Sequence, residues 1–89
     1  MNIVYTYHAT IQMPLRGVTE SEIYDVLATG ALSEGRAGTH IRQKVLTAGY
    51  DWKGRYYPHK EVAIIFDDSS EPLVIITVMT RYGLWEGIT

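Results

Sequence analysis

The sequence predicts an α+β fold in which one or two N-terminal helices pack on a three- to four-stranded antiparallel sheet. Three observations predict it. A fully signalled helix occupies Thr19–Gly30, a stretch of alternating polarity follows at Thr39–Ala48, and two apolar runs, Val62–Phe66 and Leu73–Thr80, flank a polar turn. Eighty-nine residues are read as one domain, 1–89, with a modest core, since a chain this short buries only roughly 60 to 65% of its unfolded surface.

Each element has its own signal. Ile3–Tyr7 is rich in β-branched and aromatic residues, which suits either a short edge strand or the lead into a first helix at His8–Gln12. Pro14 limits that helix, because proline lacks an amide hydrogen and disfavours a helical conformation at Met13. The second helix is the best marked. Thr19 and Glu22 make a capping box, Val18 and Ile23 can form the hydrophobic staple, and Gly30 stands where a left-handed C-terminal residue is wanted. Its apolar stripe is Ile23, Val26 and Leu27. Past a loop containing Gly35 and Gly38, His40, Arg42 and Lys44 alternate with Ile41, Gln43 and Val45, the period of a strand with one basic face. Gly49–Pro58 reads as a turn or flared hairpin end. In the last strand, strict alternation puts Leu73, Ile75, Thr77, Met79 and Arg81 on one face.

Composition narrows the function classes. There are no cysteines, so disulfides and thiolate metal sites are excluded. Three histidines without helical spacing make a poor zinc site, and neither a metal nor a cofactor is expected. The apolar runs are too short to span a bilayer and the N-terminus lacks a basic region followed by an apolar one, so a cytoplasmic protein without membrane contact is expected. A net charge of −2 argues against a general nucleic-acid binder, but the charge is uneven. Between Arg36 and Lys60 six cations face the single acid Asp51, interleaved with Tyr50, Trp52, Tyr56 and Tyr57. This marks His40, Arg42, Lys44, Trp52, Lys53, Arg55, His59 and Lys60 as candidate RNA-binding residues, the aromatics serving as stacking surfaces. The alternative is a solvated hairpin whose aromatics pack onto the sheet.

Metal-free RNA cleavage needs a base for the 2′-hydroxyl proton, an acid for the leaving oxygen and fixed positive charge against the phosphorane. Histidine suits the proton transfers, which points to His8, His40 and His59. Arginine's planar fork suits the phosphate, which points to Arg16, Arg42 and Arg81. Thr77 or Tyr82 can donate a hydrogen bond. The preferred set is His8 as acid or base, Arg16 and Arg81 as phosphate clamps, and Thr77 as an orienting hydroxyl.

The order His8-Ala9, Met13, Arg16-Gly17-Val18, Thr19, Val26-Leu27 and Gly30, followed by two hydrophobic strands of which the last carries Val74-Ile75-Ile76-Thr77-Val78, resembles domain of unknown function 4258 over most of the chain. That family is similar to the metal-independent ribonucleases that include barnase, EndoU, colicin nucleases and RelE-type toxins. The resemblance implies helices followed by a four-stranded antiparallel sheet and a role in cleaving or binding RNA. It places the family's histidine on His8, its arginine before glycine on Arg16 and its strand threonine on Thr77. Gln12 stands where the family often has a further arginine, and Met79 where it often has a tyrosine.

Two functions are therefore expected. One is a small ribonuclease, the toxin of a pair with an antitoxin or immunity protein. The other is a noncatalytic module that binds RNA or a protein. Leu84, Trp85 and Ile88 in the tail have no obvious strand partner, which suggests a homodimer or a protein partner.

Overall fold

The computed structural model describes residues 2–87. Along the chain run β1 (Ile3–Tyr5), α1 (Tyr7–Arg16), α2 (Glu20–Thr29), β2 (Ala31–Glu34), β3 (His40–Leu46), β4 (Tyr50–Trp52), β5 (Arg55–Tyr57), β6 (His59–Asp67) and β7 (Leu73–Gly83). The main sheet has five strands in the order β1-β7-β6-β3-β2, and β4 with β5 forms a separate two-stranded hairpin. The fold is α+β, but the sheet is larger than three or four strands and is mixed, because β1 runs parallel to β7. The two extra strands lie at its edges. β1 is three residues long, and β2 is exposed along its whole length, so neither carries a strong periodic signal.

The first helix is longer than expected. Thr6 caps it, its hydroxyl accepting from the Ala9 amide at 3.0 Å. Pro14 lies inside rather than ending it. The helix closes at Gly17, which adopts φ 71 and ψ 34. There the Gly17 amide donates to the Pro14 carbonyl at 3.3 Å and the Val18 amide to the Met13 carbonyl at 2.8 Å. This double closure satisfies the last carbonyls and fixes the chain reversal into α2.

The second helix forms as its sequence dictates. Thr19 accepts from the Glu22 amide and donates its own amide to the Glu22 carboxylate. Ile23, Val26 and Leu27 are buried. Gly30 departs from expectation, with φ −73 and ψ 158 in extended backbone. Its role is close approach: a Cβ there would stand 2.6 Å from the Val26 carbonyl oxygen and about 3 Å from the Gln43 backbone.

Both helices cover one face of the sheet. The core joins Ala9, Val18, Ile23, Val26 and Leu27 to Leu46, Val62, Ile64, Phe66, Ile75 and Val78 of the strands. Strict alternation along β7 fails, because a register shift between Ile65 and Phe66 pairs Ile65 with Thr77 but Phe66 with Ile75. Leu73 and Ile75 therefore face the helices, whereas Thr77, Met79 and Arg81 align with Ile65, Ala63 and Glu61 on the uncovered face. Among the described residues no helix is long and apolar enough to cross a membrane.

Candidate functional site

Much of the basic aromatic segment is engaged by partners within the molecule. Lys60 is 3% exposed. Its ammonium donates to the Gly17 carbonyl and to Glu22 Oε1, each at 2.8 Å, and approaches Glu22 Oε2 to 2.6 Å. It also sits 4.5 Å from the Tyr50 ring centre and 5.8 Å from that of Tyr82. Trp52 stacks on Tyr82 at 5.1 Å and 12°. The β4–β5 hairpin turns at Lys53 and Gly54, both at positive φ, a tight reversal that folds Trp52 onto Tyr82 rather than into solvent. Burial, followed by the Glu22 charge and Tyr50, pushes the Tyr82 hydroxyl up to about 12. That hydroxyl donates to the Arg16 carbonyl at 2.8 Å.

The basic row of β3 is likewise partnered, on the helix-covered face. His40 Nδ1 meets Asp68 at 3.0 Å, Arg42 donates to the Gly30 carbonyl at 2.9 Å, and Lys44 donates to Asp25 and to Thr29, each at 2.8 Å. The hydrogen bond from Lys44 holds the Asp25 carboxyl below the ordinary carboxylate range. His59 Nδ1 accepts the Trp85 amide at 2.9 Å, tying the tail to β6. Lys53 and Arg55 are exposed beside Trp52 and Tyr57. Leu84 is exposed, and Ile88 lies outside the described residues.

The uncovered side of the sheet carries a cleft of about 420 Å³. It brings Arg16 from the end of α1 together with Arg81 from β7, over a floor that includes Ile41, Ala63 and Met79. Arg16 reaches it because α1 continues through Pro14. The Arg16 Nε donates to Gln12 Oε1 at 2.7 Å, one helical turn back, so Gln12 aims the guanidinium. Among the described residues Nη1 and Nη2 of Arg16 have no protein partner. Arg81 donates through Nε and Nη2 to Glu61 Oε1 at 2.8 and 2.6 Å, while its side chain stays 70% exposed. Thr80 and Tyr82 anchor the rim, both donating to the Arg16 carbonyl.

Of the preferred set, Arg16 and Arg81 share this cleft. Thr77 lies on the same uncovered face, opposite Ile65, but does not line it. His8 is exposed on α1, eight residues before Arg16, about 12 Å along the helix axis. Glu61 and Gln12 were not among the candidates. Gln12 had a local signal, its four-residue spacing from Arg16, whereas Glu61 is placed by its cross-strand register with Arg81. No three His, Cys, Asp or Glu side chains come together among the described residues in a way that could hold a metal ion.

The molecule is thus an α+β module with two arginines converging on an uncovered sheet face. The model of DUF4258, a domain of unknown function, matches residues 5–80, and the chain belongs to that family. No curated protein and no solved structure matches it. The matched span includes His8, Gln12, Arg16 and Thr77 and ends one residue before Arg81.

Proposed function

We propose that the uncovered face holds single-stranded RNA by its phosphates and that the chain is a small metal-independent RNA-cleaving domain, a toxin-like activity to be restrained by an antitoxin or immunity protein. The observation that carries this reading is the convergence of Arg16 and Arg81 on one cleft, with the Nη edge of Arg16 unpartnered among the described residues and aimed by Gln12. A guanidinium fork with free donors matches two phosphate oxygens. The ion pair with Glu61 fixes Arg81 without burying it, so its remaining N–H groups stay available to a second oxygen. The apolar floor gives the bases a surface to lie on.

In this reading the strand runs along the ridge His8, Gln12, Arg16. The arginines hold one phosphate and position the neighbouring linkage near His8, whose imidazole exchanges protons with the 2′-hydroxyl or the leaving oxygen. A second reading, a noncatalytic RNA-binding module, is favoured by the separation of His8 from the arginine cleft.

Incubation of a labelled RNA pool with the purified protein in EDTA separates the two. Cleavage is expected, lost in His8→Ala with RNA binding retained, and lost together with binding in Arg16→Ala. A folded parent that binds RNA and leaves it intact supports the binding module. A parent that neither binds nor cleaves overturns both.

A further inference from the structure

A smaller concavity of about 230 Å³ opens on the helix-covered side, beside β2. Leu27, Leu32, Phe66 and Leu73 form its apolar walls, and its polar groups are His40, Arg42 and Asp68. Arg42 is half-buried, and donation from Nη1 to the Gly30 carbonyl fixes its guanidinium while leaving the Nε–Nη2 edge without a protein partner among the described residues. It forms no ion pair among them either. Asp68 is held through Oδ1 by His40 Nδ1 at 3.0 Å, and its other oxygen is unpartnered among the described residues. A cation and an anion therefore line one pocket without pairing with each other.

We propose that this pocket receives a guanine base. The occupant must present two adjacent acceptors to the arginine edge and donors to the carboxylate, and must be flat and uncharged where it meets them. A simple phosphate or carboxylate satisfies Arg42 but is repelled by Asp68. Guanine offers O6 and N7 as paired acceptors, the edge that arginine reads in nucleic acids. Its N1–H and N2–H groups are paired donors suited to a carboxylate, and its faces are apolar enough for the Leu32 and Phe66 walls. Adenine carries an amino donor in place of O6 and has no N2 donor. The inference is independent of whether the uncovered face cleaves RNA, since the pocket lies on the opposite side of the sheet.

The guanine can belong to a free nucleotide or to an RNA strand, and one titration distinguishes them. Isotope-labelled full-length protein is titrated with GMP, AMP and the single-stranded trinucleotides AGA and AAA, following amide resonances. GMP is expected to shift Leu32, Arg42 and Asp68 at least tenfold more tightly than AMP. AGA binding as tightly as GMP or tighter assigns the pocket to a strand, and AGA excluded while GMP binds assigns it to a free nucleotide. Asp68→Asn, in an exposed turn, keeps an acceptor for His40 but presents an amide to the guanine donors, and is expected to erase the preference over AMP. Arg42→Ala is expected to erase binding. Equal binding of GMP and AMP, no shifts at these residues, or a preference unchanged in Asp68→Asn overturns the proposal.

Discussion

Lys60 on the helix-covered face and the Arg16–Arg81 pair on the uncovered face hold their charge in opposite ways. On the helix-covered face Lys60 is buried, with a carbonyl, a carboxylate and two aromatic rings around its ammonium. On the uncovered face Arg16 and Arg81 meet over a cleft, one with N–H donors that are free among the described residues and the other largely exposed. The positive charge of this chain therefore has two separate uses. Charge inside the fold replaces apolar packing where α2, the α1–α2 turn and the β4–β5 hairpin converge. Charge outside it is available to a ligand.

Removing the inner cation is expected to have the largest effect. Lys60→Ala leaves the mostly buried Glu22 carboxylate and the Gly17 carbonyl without their donor, costing about 3 kcal/mol. Thermal unfolding then shows Tm lowered by about 12 to 24 °C. An unchanged Tm would break the distinction between the two faces. Gly30→Ala comes next. Its new Cβ meets backbone atoms of Val26 and Gln43, which cannot swing aside, and denaturant titration is expected to show a loss of about 2 kcal/mol.

The aromatic wall around Lys60 titrates in a predictable direction. Burial raises the Tyr82 hydroxyl to about 12 from its ordinary 10. Between those pH values the unfolded chain has released this proton and the folded chain retains it, so stability falls as pH rises. Burial also raises Tyr5 and Tyr50, and absorbance of tyrosinate across an alkaline titration is expected to show a late-ionising component that shrinks in Tyr82→Phe. The smallest effect on stability belongs to the outer cations. Arg81→Ala removes the exposed partner of the mostly buried Glu61 and is expected to change stability by no more than about 1 kcal/mol in the same denaturant titration.

Legibility in the sequence followed how local each determinant is. The α2 capping box and the Ile23, Val26, Leu27 stripe are contained within one helix, and they form as read. The β2 strand has no apolar alternation because it is exposed throughout, so its existence depends on pairing with β3. The face assignment of Leu73 and Ile75 depends on a register shift opposite Phe66, which one strand's own sequence does not encode. Gly30 carries the same ambiguity, since close approach to Gln43 and a left-handed turn both call for glycine. Arg16 and Arg81 stand out by residue type, but their meeting depends on α1 continuing through Pro14 and on β7 extending past Thr80. Lys60 carried a signal that charge counting overrides. It lies in phase with the buried positions Val62, Ile64 and Phe66, and the period of the strand places it inside.

The most direct measurement is the salt dependence of binding between a fluorescent single-stranded RNA and the parent, compared with Arg16→Ala/Arg81→Ala. Loss of the one phosphate contact that the two arginines share on the uncovered face predicts that the double variant binds more weakly and that its slope of log affinity against log salt is shallower by about 0.7. An affinity and a slope equal to those of the parent would contradict the assignment of the outer arginines to RNA.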